Sequence, residues 1–169
     1  MIGDEAAARE WLKTLPEFDA LAERRTERLI SLLSEENRRQ NLISAASLET
    51  IWRRHVADSA QLLTYVSGDA APWLDLGTGG GFPGLVLAIL RPEMRILLVE
   101  SRPQRADWLR RAFAELDLPS VEVHGEPLSR IPTEPVRVIS ARAFAPLDRL
   151  VALSARFSTS DTIWLLPKG

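Results

Sequence analysis

Five glycines stand at positions 77, 79, 80, 81 and 84, in the stretch PWLDLGTGGGFPG, directly after an apolar run that carries an acid, Asp75. Glycine tolerates positive φ and lacks the Cβ that would hold a ligand away from the main chain. Such crowding suits a strand end that turns sharply into a helix and offers its N–H groups to a bound cofactor. A second acid, Glu100, closes the apolar run RILLVE, about 20 residues downstream, where a carboxylate can accept both hydroxyls of a ribose. The two histidines, His55 and His124, form no catalytic cluster, and no general base stands out.

Two cofactor chemistries fit the glycines. Gly79, Gly81 and Gly84 match G-x-G-x-x-G, the dinucleotide pattern, in which a helix N-terminus receives pyrophosphate. Asp75, Gly77 and Gly79 match acid-x-Gly-x-Gly, used for S-adenosylmethionine, whose cationic amino-acid end the acid can face. A tight strand–helix turn with no ligand would use the same residues. A dehydrogenase usually adds a large substrate domain and an acid–base residue after the nucleotide fold, and this chain ends first. The methyltransferase frame is therefore preferred over an NAD(P)-dependent oxidoreductase.

The elements around the turn follow from hydrophobic periodicity. Residues 1–68 read as a helical cap and residues 69–169 as an α/β domain, the two forming one compact unit. In the cap, a first helix ends with Trp11, Leu12 and Leu15, and Pro16 is expected to open the second. Leu21, Leu29, Leu32 and Leu33 form an apolar stripe on that second helix. A third helix is expected through SLETIWRRHVADSAQLLTYV, with Ser47 as its N-cap and Gly68 as its stop. From Pro72 onward, PWLDL, RILLVE, SVEVH, VRVISARA and TIWLLP alternate with helical stretches. That alternation predicts an open parallel sheet with right-handed crossovers. Pro83 suits the first turn of the helix after the glycines.

Composition sets outer limits. The net charge of −2 excludes a uniformly basic nucleic-acid binder, although 21 basic residues are present. All but Lys13 and Lys168 are arginine, whose planar fork suits phosphates and bases. The chain has no cysteine, hence neither disulfides nor thiolate ligands. No apolar run approaches the ~20 residues of a membrane helix, and the N-terminus lacks a signal-peptide pattern. A soluble cytoplasmic protein is expected.

The longer stretches resemble one family. DLGTGGGFPGLVLAI is similar to the cofactor loop of the glucose-inhibited division protein B family, the 16S ribosomal RNA guanine-N7 methyltransferases. NLISAASLETIWRRHVADS, LLVESRPQRADWLR, SARAFAPL and the terminal LPKG follow in the family's order, from Asn41 to Gly169. The resemblance implies a class I, Rossmann-like methyltransferase sheet with helices on both faces. The family usually continues beyond Lys-Gly into the last strands of the sheet, which this sequence does not contain.

The same resemblance implies roles. S-adenosyl-L-methionine would be held by Asp75, Gly77, Thr78, Gly79, Phe82, Glu100, Pro127, Leu128 and Arg142, with Pro127 and Leu128 along the adenine. The substrate would be 16S ribosomal RNA or the 30S subunit, methylated in the decoding-region loop. Arg54, His55, Arg142 and Lys168 would face the RNA, and Arg142 and Lys168 would orient the base. His55 and Asp58, three residues apart, can meet on one helix face, and a clamp between cap and sheet is the preferred reading there. The arginine pairs Arg38-Arg39, Arg53-Arg54 and Arg110-Arg111 would form an electrostatic footprint if they converge. No metal, no membrane and a monomer are expected. A non-catalytic ribosomal RNA-binding or assembly protein is the remaining alternative.

Overall fold

Each of the five apolar runs from Pro72 onward forms a strand. The computed structural model describes residues 3–142 and 144–167. The strands are β1 (Trp73–Leu76), β2 (Ile96–Val99), β3 (Val121–His124), β4 (Val138–Ala141) and β5 (Ile163–Leu165). All pairings are parallel and the spatial order is β3-β2-β1-β4-β5. The chain winds from β1 outward to β3, then returns to the other side of β1 with β4. The connections thus diverge between β1 and β4, and in open α/β sheets ligands bind beyond the carboxyl ends of the strands at such a point.

Alternation along the strands feeds two cores. Trp73, Ile96, Leu98 and Val138 point to one face, where they pack with α2 (Ala20–Gln40), α5 (Gly84–Leu90) and α6 (Pro103–Glu115). Leu74, Leu76, Leu97, Val99, Ile139 and Ala141 point to the other, toward α7 (Leu147–Ser154) and the 3-10 turns Leu128–Arg130 and Ala155–Phe157. Burial on both faces is why these strands read as continuous apolar runs.

The helical cap departs from the sequence expectation in three places. Helix α1 (Glu5–Leu12) starts on the Asp4 cap, but α2 begins at Ala20, not at Pro16. The Asp19 carboxylate accepts the N–H groups of Leu21 and Ala22, so the helix starts there. Leu29 and Leu33 of the expected stripe are buried, whereas Leu21 is 45% exposed. The expected third helix is broken. Ser44, not Ser47, caps α3 (Ala45–Glu49), its Oγ accepting from the Ser47 N–H.

After α3 the chain follows a π-helical turn (Trp52–Ala57), α4 (Asp58–Ala60) and a 3-10 turn (Gln61–Tyr65). The Glu5 carboxylate accepts the N–H groups of Trp52 and Arg53, anchoring the π-turn to the first residue of α1. Widened turns of this kind are frequent at functional sites. This one carries Arg54 and His55 to the top of the sheet.

Candidate functional site

The glycine turn is stitched to the strand beside it. The N–H groups of Gly77 and Thr78 donate to the Val99 carbonyl at 2.8 and 3.3 Å, and the Thr78 carbonyl accepts from Gly81 and Phe82. Gly77 and Gly79 adopt φ of 69° and 57°, which side chains rarely tolerate. A Cβ at Gly84 would lie 2.2 Å from Leu98 and 2.9 Å from the Asp75 carboxylate. Gly84 therefore serves helix–strand packing, while Gly77 lines a cavity.

Asp75 does not face that cavity. It is fully buried, its Oδ1 accepting from the Ser140 hydroxyl at 2.7 Å and its Oδ2 from the Gly84 N–H at 3.1 Å. Trp73 Nε1 donates in turn to Ser140 Oγ. The acid thus braces the first turn of α5 from below. Thr78 is also buried, donating its hydroxyl to the Asp75 carbonyl.

Burial pushes the Asp75 carboxyl up to about 6, against the opposing hydrogen bonds of Ser140 and Gly84. Between its ordinary value and about pH 6, the folded state holds this proton more tightly than the unfolded state does. The contribution of Asp75 to stability therefore falls as pH rises through that window. Asp75→Asn removes the ionisation, so relative to wild type the variant should gain roughly 2–3 kcal/mol between pH 4 and pH 7. Urea unfolding of both proteins at the two pH values checks this, and parallel responses would refute the assignment.

Glu100 sits at the rim of the turn, 6% exposed. Its Oε2 accepts from Gly79 N–H at 3.1 Å and its Oε1 from Arg102 N–H at 2.9 Å. Each oxygen keeps a lone pair for a further donor. Glu100, Gly77, Pro127 and Leu128 line one cavity of about 460 Å³, within the usual range for small-molecule sites. Phe144, Arg102, Arg105 and Arg149, which no sequence pattern marks as contacts, also line it. Phe144 lies within the quoted SARAFAPL stretch, so the motif marked the place but not the contact.

On the other side of the turn lies a second group. The rings of His55 and Phe82 stack at 4.6 Å, and the Arg142 guanidinium lies 5.7 Å from the Phe82 ring. Arg142 Nη1 is 2.8 Å from His55 Nδ1. Arginine only donates, so Nδ1 accepts and the imidazole proton belongs on Nε2. Burial, with Arg142 and Arg54 nearby, pushes His55 down to about 4, keeping the ring neutral at pH 7. The contact across to the sheet is therefore made with Arg142, and Asp58 is not the partner of His55.

A second cavity, about 750 Å³, is lined by Arg54, His55, Asp58, Arg142 and Trp164 among others. Lys168 lies outside the described residues. Of the six residues in the arginine pairs, four have a carboxylate within 4 Å, while Arg54 lines the second cavity. Arg38 and Arg39 face Glu35 and Glu36, Arg110 pairs with Asp107 and Arg111 with Glu36, and Arg53 donates to the Gly3 carbonyl. Among the described residues no group of three or more His, Cys, Asp and Glu could hold a metal ion, and no helix is long and apolar enough to cross a membrane.

A five-stranded parallel sheet with a glycine turn after β1 and an acid after β2 is the architecture of class I methyltransferases. Coclaurine N-methyltransferase superposes with a TM-score of 0.62 at 17% identity, over 95% of this chain and 62% of that one. Precorrin-6y C5,15-methyltransferase of Geobacter metallireducens gives 0.54 at 17%, over 75% and 65%. At sequence level the family model of rRNA small subunit methyltransferase G matches residues 22–169. Ribosomal RNA small subunit methyltransferase G of Erythrobacter litoralis is 50% identical over the whole chain, which covers 81% of that protein. The protein of the same name from Sphingopyxis alaskensis is 54% identical over the whole chain, which covers 72% of it. The chain belongs to the rRNA small subunit methyltransferase G family.

Proposed function

We propose that this protein transfers a methyl group from S-adenosylmethionine to N7 of a guanine in 16S ribosomal RNA, in the decoding-region loop, acting as a cytoplasmic monomer. The observation that supports the cofactor is the cavity beyond β1 and β2, lined by the Glu100 carboxylate and the Gly77 backbone. S-adenosylmethionine supplies an electrophilic methyl on a sulfonium. Gly77 lets the main chain approach it, Glu100 accepts from the ribose hydroxyls, and Pro127 and Leu128 lie along the adenine. Phe82, 2% exposed beneath His55, contributes through its backbone. Thr78 and Asp75 act from beneath, by holding the turn in shape.

Guanine N7 is an acceptor with a free lone pair. It loses no proton before attack, so the site requires no general base. The chain's task is alignment, a factor worth roughly 7–11 kcal/mol in favourable cases. Arg142 orients the base, with Arg54 toward the RNA. Calorimetry with S-adenosylhomocysteine and with NAD tests the cofactor class. Binding of the first alone is expected, and binding of NAD alone would replace this reading with an oxidoreductase. Glu100→Ala should weaken S-adenosylhomocysteine by roughly 1.5–3 kcal/mol, as a charged acceptor is lost. It should also remove the preference for adenosine over 2′,3′-dideoxyadenosine, and an unchanged preference would refute the ribose role.

A further inference from the structure

The second cavity contains a carboxylate that the methyl-transfer scheme leaves without a role. Asp58 lies on its wall facing the charges of Arg142, Arg54 and Arg53, yet takes part in no ion pair among the described residues. Desolvation there raises its carboxyl, and the three arginines only offset it. Arg142 shares this wall, tied through Nη1 to His55 Nδ1, and further N–H groups of its fork have no partner among the described residues. Tyr65, 68% exposed, and Trp164 add aromatic surface to the same cavity, on which an unstacked base can rest.

A carboxylate beside a guanidinium matches one base edge. Guanine presents N1–H and N2–H₂ donors next to the O6 acceptor, whereas adenine presents an acceptor at N1 and a donor at N6. Held by this edge, guanine leaves N7 free on the adjacent major-groove edge. We propose that this cavity is a guanine-reading subsite, in which Asp58 accepts from N1–H and N2–H₂ while Arg142, held in place by His55, donates to O6. The inference rests on the proposed guanine-N7 methylation.

The arrangement also bears on the rate. During transfer the N7–CH₃ bond forms, the S–CH₃ bond breaks with its electron pair staying on sulfur, and the base becomes a cation. Its N1–H grows more acidic, so the hydrogen bond to the Asp58 carboxylate strengthens as charge develops. An interaction stronger in the transition state than in the ground state speeds the reaction. The buried Nε2–H of His55 has no partner among the described residues, so the histidine acts through Nδ1 and its stack on Phe82.

The test is single-turnover methylation by the full chain of 30S subunits carrying either guanine or inosine, which lacks the N2 amine, at the methylated position. Wild type is expected to favour guanine at least tenfold. Asp58→Asn should slow transfer to guanine about a hundredfold and lose most of that preference, while S-adenosylhomocysteine affinity stays within twofold. An Asp58→Asn protein that works at the wild-type rate, or slows while keeping the full preference for guanine, overturns the subsite. A wild type that methylates no guanine overturns the functional reading and the subsite together.

Discussion

Replacing Arg142 by lysine should slow single-turnover methylation of 30S subunits nearly as much as replacing it by alanine, by roughly 10²–10³-fold, the scale seen when one positioned donor is lost from a reaction site. The reason lies in the charge change. The sulfonium starts positive and ends neutral while the methylated guanine becomes cationic, so an arginine beside N7 would oppose the reaction. Its useful position is at O6, at the RNA backbone or at the cofactor carboxylate, as an orienting fork. In the structure one arm of that fork already bonds neutral His55 Nδ1 at 2.8 Å, and the guanidinium lies near the Phe82 ring. Lysine keeps the charge but has no second rigid arm to offer a base. Transfer by Arg142→Lys at close to the wild-type rate would show that charge suffices and remove the orienting role.

Gly77→Ala should reduce S-adenosylhomocysteine affinity at least tenfold. Its backbone sits at φ 69°, and the added Cβ would come within 3.2 Å of Phe144 at the cavity floor. Positive φ alone costs an alanine roughly 1–2 kcal/mol, so the effect needs a matched control. Gly68 supplies it, with φ 71° and nothing within 4 Å of its Cβ position. Both substitutions should lower the unfolding midpoint in urea, Gly77→Ala somewhat further because of the Phe144 contact, and only Gly77→Ala should lose affinity in calorimetry. Equal affinities for the two variants would mean that the glycines shape a turn and nothing more.

What could be read from the sequence was whatever depends on local periodicity or on glycine. The three central strands, β1, β2 and β4, were legible because each is an apolar run buried on both faces, and the turn after β1 because glycine adopts its positive φ values at no steric cost. The breaks in the third helix were not, since the Glu5 carboxylate that holds Trp52 and Arg53 comes from 47 and 48 positions earlier in the chain. The same limit hid the partner of His55. Helical spacing pointed to Asp58, whereas Arg142 arrives from 87 positions away at the end of β4. Asp75 matched its motif position, but only the structure shows Ser140, a lone hydroxyl in an apolar strand, and the Gly84 N–H occupying both its oxygens. Pro16 failed as a helix start because Asp19, three residues on, is a better cap.

The most direct test of the account is to incubate the full chain with 30S subunits and S-adenosylmethionine labelled in its methyl group, then digest the 16S RNA to nucleosides and identify the labelled one by mass spectrometry. Label is expected in 7-methylguanosine, approaching one methyl per subunit. Label in any other nucleoside, or none in RNA from a protein shown to bind the cofactor, would contradict it.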